Sequence, residues 1–296
     1  PASFGVALED FVEQHHAARR TQTLQSNAPD SLSRLVAPLL PTGASVATFL
    51  QLFEQHPRSP SAFWSAVQSH GQLGEYASSL RQAVDLGLAC MNWCPFIEAL
   101  RASELPDKSI NGLVDATDVE LTALIPVEAG GGPILPDGIV GEDGEERQAN
   151  FIRMIRFQLD RMRPNRVLRR AILNGDHGWQ PEGLASFLSS DPDFNFLNFS
   201  SGSVSELTAE ARNELYAYRR MLRLVEGPDL ARKIQLLRQN QLTSATRIAA
   251  RSPQALASQL GWFWPPPTPF TSAAEIAALH ARASHTFRTV AALLAR

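Results

Sequence analysis

Between Thr208 and Gly227 the residues Ala211, Leu215, Tyr218, Leu222 and Val225 recur at steps of four, three, four and three. That spacing lines up one side of an α-helix and no side of a strand, so the stretch buries its apolar face only as a helix against a neighbour. The same register runs the length of the chain. Leu8, Phe11, Val12 and His15 mark a helix over 7–25, and Val46, Phe49, Leu50 and Phe53 one over 45–55. Ile152, Ile155, Leu159 and Met162 mark a long helix over 151–173, and Ile276, Leu279, Ala283, Phe287, Val290 and Leu294 present the last helix to a core. No run alternates with a period of two. The expected fold is all-α: an irregular array of about fifteen short to medium helices with helical-hairpin corners and no substantial sheet.

Helix ends are written in the sequence as well. Asp30-Ser31, Ser59-Pro60, Thr208, Ser244 and Ser252-Pro253 are hydroxyl or carboxylate caps, two of them with proline at the first helical position. Thr117-Asp118-Val119-Glu120 and Ser272-Ala273-Ala274-Glu275 have the form of capping boxes, in which the acid returns to the cap amide. Gly87 and Pro95 split 76–100 into two helices, and Pro181–Leu188 reads as a short helix closed by Asp191-Pro192. One echo links distant parts. Ser109, Leu113, Thr117 and Leu121 are each four apart, and Ser244, Ile248, Ser252 and Leu256 repeat the pattern. Each set describes a compact corner of two short capped helices around buried aliphatics.

Residues 126–146 break the helical register with Gly130-Gly131-Gly132-Pro133, Pro136-Asp137-Gly138 and Gly141-Glu142-Asp143-Gly144. A phosphate-cradling loop would need Gly-Lys-Ser/Thr opening a helix, which is absent. The stretch is read as a surface loop or linker between an N-terminal helical subdomain, 1–125, and a C-terminal one, 147–296.

Charge and composition exclude more than they assign. A formal net charge of -3 gives no global attraction for nucleic acid or an anionic membrane. Arginines crowd 151–173, but an apolar stripe and nearby acids make a solvated or salt-bridged face the expectation. No window reaches the roughly 20 apolar residues of a membrane helix, and the N-terminus lacks the basic start and apolar run of a signal peptide. Starting at Pro1 rather than Met is expected of a piece of a longer protein. Cys90 and Cys94 are read as buried small apolar side chains ahead of a disulfide or metal pair. No metal, cofactor or catalytic residue is assigned.

The segment Phe187-Leu188 with Asp191-Pro192-Asp193-Phe194-Asn195-Phe196, the helix with Leu215-Tyr216-Ala217-Tyr218-Arg219-Arg220, and Leu242-Thr243-Ser244-Ala245 with Ile248-Ala249 together resemble a module in the A subunits of bacterial toxin-complex (Tc or ABC) insecticidal toxins. Ala281-Arg282-Ala283 in the closing helix resembles the end of that module. Leu80 to Leu88, Ser109-Ile110-Asn111-Gly112-Leu113 and Pro136-Asp137-Gly138 are similar to its earlier parts in the same order. Tyr218-Arg219-Arg220-Met221-Leu222 departs from the family's Gln-Arg-Val-Phe core, and the Trp262–Pro269 loop has no counterpart.

The resemblance implies a non-catalytic shell or scaffold fragment of a large homo-oligomeric toxin, delivered outside or at the surface of a bacterium. Its partners would be other modules of the same chain, neighbouring protomers and a host-cell receptor. It also implies a shell that opens on a pH change, for which His15, His16, His56, His70, His177, His280 and His285 are the histidine candidates. This segment would not itself insert into a membrane. Two other classes stay open: a helical adaptor binding protein through Trp262, Phe263 and Trp264, and a hydrolase combining Cys90 or Cys94 with His177 in the turn Asp176-His177-Gly178-Trp179.

Overall fold

The computed structural model describes residues 29–56, 59–175, 180–227, 229–261, 269–270 and 272–294. Among them are fifteen α-helices, three short 3-10 turns and one isolated β-bridge, Val127 to Pro133. The all-α expectation holds. The chain divides into two compact units, Pro1–Gln158 and Leu159–Arg296. The helix expected at 7–25, Pro57-Arg58, Asp176–Trp179, Pro228 and Trp262–Thr268 lie outside the described residues.

The first unit holds α1 (Pro29–Val36), α2 (Gly43–Gln55), α3 (Pro60–Ser69), α4 (Ala77–Ala89), α5 (Cys94–Ala102), α6 (Ile110–Asp115), α7 (Asp118–Ala123) and most of α8 (Gly144–Met162). Helix α1 begins at Pro29, so Asp30 and Ser31 fall inside its first turn rather than ahead of it. Thr42 and Ser59 cap α2 and α3 through their side-chain oxygens. Phe49 and Phe63 meet edge to face at 5.4 Å, which locks α2 to α3. The break between α4 and α5 falls at Met91 and Asn92, both left-handed, and Pro95 starts the next helix.

Helices α6 and α7 form the corner expected at Ser109. Ser109 Oγ accepts from the Asn111 amide at 3.1 Å, and Thr117 Oγ1 accepts from the Glu120 amide at 3.2 Å. The Glu120 carboxylate returns to the Thr117 amide at 2.7 Å, so the capping box is complete. Leu113 and Leu121 are fully buried. The last carbonyls of α6 have no partner inside so short a helix. Arg156 from α8 supplies one: its guanidinium donates to the Leu113, Val114 and Ala116 carbonyls and pairs with Asp118 at 2.8 Å. The dense arginines of 151–173 thus include a fixed structural clamp.

Gly112 sits where α6 passes the chain before it. A Cβ there would lie 1.7 Å from the Asp107 carbonyl oxygen, a backbone atom that cannot swing aside. Gly112→Ala is expected to destabilise the protein by about 3 kcal/mol or more. Urea unfolding followed by circular dichroism checks this, and a change below about 0.5 kcal/mol would contradict the close approach.

Residues 126–146 fold onto the first unit. The Ile134 amide donates to the Pro126 carbonyl at 2.7 Å, and the Trp93 indole N–H donates to the Ile134 carbonyl at 3.4 Å. Leu135 is buried, and Arg147 and Asn150 donate to the Ile139 and Val140 carbonyls. The division between the units falls inside α8 rather than in this loop.

The second unit starts within α8 and continues with α9 (Pro164–Leu173), α10 (Leu184–Ser190), α11 (Ala209–Leu222), α12 (Leu230–Gln239), α13 (Ala245–Ala249), α14 (Pro253–Gln259) and α15 (Ala273–Leu294). The expected single helix over 151–173 is two, because Pro164 removes an amide and opens α9. Helix α10 spans Leu184–Ser190 rather than 181–188, since Gly183 takes the left-handed conformation just before it.

The segment Asp191-Pro192-Asp193-Phe194-Asn195-Phe196 is a polar turn that throws two rings inward. Asn195 Oδ1 accepts from the Leu197 and Asn198 amides, and Asn165 Oδ1 accepts from the Phe196 amide at 3.1 Å. Phe194 and Phe196 are buried and edge-on to each other at 5.0 Å, and Phe196 continues to Tyr218 of α11. Helices α13 and α14 form the second corner. Ser244 Oγ accepts from the Arg247 amide, Ser252 Oγ from the Ala255 amide, and Ile248 and Leu256 are fully buried. It packs on α15 through both its helices.

Helix α15 departs from expectation at both ends. Ser272 caps it, accepting from the Glu275 amide at 3.1 Å, but the Glu275 carboxylate turns away from the cap to Lys233. Ile276, Leu279 and Ala283 are buried, whereas Phe287, Val290 and Leu294, in the same stripe, are exposed. Beyond Ser284 every described residue of the helix is exposed. Among the described residues no helix is long and apolar enough to cross a membrane.

Candidate functional site

The second unit carries a polar hollow where α12 ends. The Leu242 amide reaches back to the Leu237 carbonyl at 2.8 Å and the Gln241 amide to the Arg238 carbonyl at 2.9 Å. This helix-terminating motif puts Gln241 in the left-handed region at φ 57°, where glycine is the least costly occupant. The chain keeps glutamine there and so places an amide side chain at the rim.

The hollow has a volume of about 730 Å³. Gln239, Asn240, Gln241, Leu242, Arg247, Ala250, Arg251 and Gln259 line it. Arg247 Nη1 donates to the Gln241 carbonyl at 3.0 Å, and Gln259 Nε2 donates to the Asn240 carbonyl at 3.3 Å. Arg220 stands close by and donates Nε to the Thr243 carbonyl at 3.1 Å. Burial lowers the proton affinity of its guanidinium, and the Arg247 charge lowers it further. Among the described lining residues there is no carboxylate, hydroxyl, thiol or imidazole. Its walls can bind oxygen-rich anions, and they offer neither a nucleophile nor a general base.

A second polar group lies deeper. Lys233 of α12 is fully buried; its ammonium pairs with Glu275, donates to the Glu226 carbonyl at 3.2 Å, and lies 5.6 Å from the centre of the Phe270 ring. Arg282 bridges the Leu224 carbonyl and the Glu226 carboxylate. Asp160 Oδ2 accepts from the Leu230 amide at 3.4 Å, at the start of α12. Desolvation pushes its carboxyl up to about 7, with the Asp229 carboxylate adding to the rise; the Leu230 and Asp229 amides and the Lys233 charge oppose it. No local pattern announces this group, because its members come from four separate segments.

Cys90 and Cys94 are buried thiols in no disulfide, and burial pushes both pKa values up, away from the reactive thiolate. Asn92 between them is buried with Oδ1 unpartnered among the described residues. His177, His15 and His16 lie outside the described residues. His280 faces the Arg251 carbonyl at 2.8 Å, and His285 is exposed. Among the described residues no group of three His, Cys, Asp or Glu side chains could hold a metal ion. Comparison with protein-family models, curated proteins and solved structures finds no match to this chain.

Proposed function

We propose that the chain is a non-catalytic helical scaffold module of a toxin-complex A-subunit type, which supports assembly and delivery by packing against further helical modules and neighbouring protomers. The observation that carries this reading is the second corner. The residues that resemble the toxin module, Leu242-Thr243-Ser244-Ala245 with Ile248-Ala249, form a capped turn whose isoleucine is fully buried on the closing helix. The aromatic segment at Phe194 and Phe196 is likewise a packing device. These motifs build walls rather than reaction centres.

The outer half of α15 supports the same reading. Its stripe continues in register from buried Ala283 to Phe287, Val290 and Leu294, which are 45, 49 and 84 % exposed. A module within a helical shell would set such a stripe against its neighbour. The test is the native mass of the protein, tagged at its own locus and purified without denaturant. A particle far heavier than the 32.4 kDa chain is expected. A homogeneous 32.4 kDa monomer would overturn the scaffold reading.

A further inference from the structure

We propose that the hollow at the end of α12 binds a small molecule carrying two oxyanionic groups, carboxylate or phosphate. Three observations converge on it. Arg251 lines the hollow and its guanidinium makes no hydrogen bond or ion pair among the described residues. Arg247 spends one donor on the Gln241 carbonyl and has others to give, and Arg220 adds a third positive charge beside it. In a chain of net charge -3, two guanidiniums line the hollow and Arg220 stands beside Arg247, with no acid among the described lining residues; the Glu214 carboxylate that acts on Arg220 is itself paired with Arg238.

The remaining wall is chosen in the same sense. Gln239, Gln241 and Gln259 bring neutral amide donors without any competing negative charge. Gln241 does so from a left-handed backbone position that costs a side-chain-bearing residue energy, as strained positions at binding sites commonly do. Guanidinium forks match the two oxygens of carboxylate or phosphate, and paired guanidiniums that repel each other when empty gain most from a dianion between them. The volume of about 730 Å³ admits a metabolite-sized ligand.

Isothermal titration on the full chain tests this with two probes, citrate for the carboxylate source and inorganic pyrophosphate for the phosphate source. Binding of either at about 0.1–1 mM is expected at low salt, weakening as salt rises. Arg251→Gln should weaken it about tenfold and Arg251→Glu should abolish it, while Arg288→Gln on exposed α15 changes nothing. The melting temperature of Arg251→Gln should match the parent, because that side chain holds no other part of the fold. Failure of both probes up to about 10 mM, or binding indifferent to Arg251→Glu, would overturn the assignment. Binding of poly-glutamate alone would overturn it in favour of an acidic protein partner. None of these outcomes depends on the native mass, so the hollow and the scaffold reading stand or fall separately.

Discussion

Glu275→Gln should destabilise the protein by about 3–5 kcal/mol, the usual cost of stranding a charge inside a fold. Lys233 is fully buried, so its ammonium would keep the Glu226 carbonyl, the Phe270 ring face and the neutral amide oxygen of the new side chain in place of its paired carboxylate. The substitution leaves the start of α15 intact, because Ser272 accepts from the backbone amide of Glu275 and not from its side chain. Removing the stranded charge as well should relieve most of the loss. Lys233→Met with Glu275→Gln is therefore expected to be clearly more stable than Glu275→Gln alone, a coupling that two independent surface losses would not show. Chemical denaturation of the four proteins measures it. A single variant within about 0.5 kcal/mol of the parent, or a double variant no better than the single, would show that the pair is not what holds this part of the unit.

Asp160→Asn should make stability nearly independent of pH between about 4 and 7 and raise it above pH 7. The carboxyl sits at about 7 in the fold against 3.8 for the free side chain, because burial penalises its charged form. The folded protein therefore holds a proton that the unfolded chain has lost. The stabilisation is complete below the unfolded value, falls as pH rises from about 4, and is gone once pH passes about 7. The three-unit gap corresponds to at most about 4 kcal/mol. Asparagine keeps an oxygen for the Leu230 amide and carries no charge. Melting temperatures from pH 4 to 8 decide the matter. A parent more stable at pH 8 than at pH 5 would contradict the assignment, as would a variant with the parent's slope.

Those two groups mark where sequence reading stops. The helices and most of their ends were legible because they are set locally. Thr117 and Glu120 are three residues apart, and the box they form needs nothing else. Ser244 and Ser252 work in the same way, so the echo between the two corners was visible from spacing alone. Pro164 is a local signal too, but the apolar register runs through it from Leu159 to Leu168 and masked the break.

Glu275 shows the opposite case. Its spacing from Ser272 fits a capping box, yet a buried ammonium outcompetes a neutral amide for a carboxylate, since two full opposite charges attract more strongly in a dry interior than a charge and a dipole. The Lys233 that decides this belongs to another helix, and no local pattern announces it. Asp160 meets Leu230 across a similar gap. Histidine was the natural residue to search for a group titrating near neutrality, and in the structure a carboxylate takes that place through burial. The hollow was invisible for the same reason. Its arginines and amides come from the end of α12 and from both helices of the corner, and only folding brings them to one rim.

A scaffold module, as proposed, would cover the exposed apolar stripe on the outer turns of α15 with a neighbour. Amide hydrogen exchange across Phe287–Leu294, compared between the natively purified particle and the separated chain, measures it directly. Exchange slowed by about tenfold or more in the particle is the expected result, since a packed stripe must open before its amides exchange. Equal rates in the two states would contradict it.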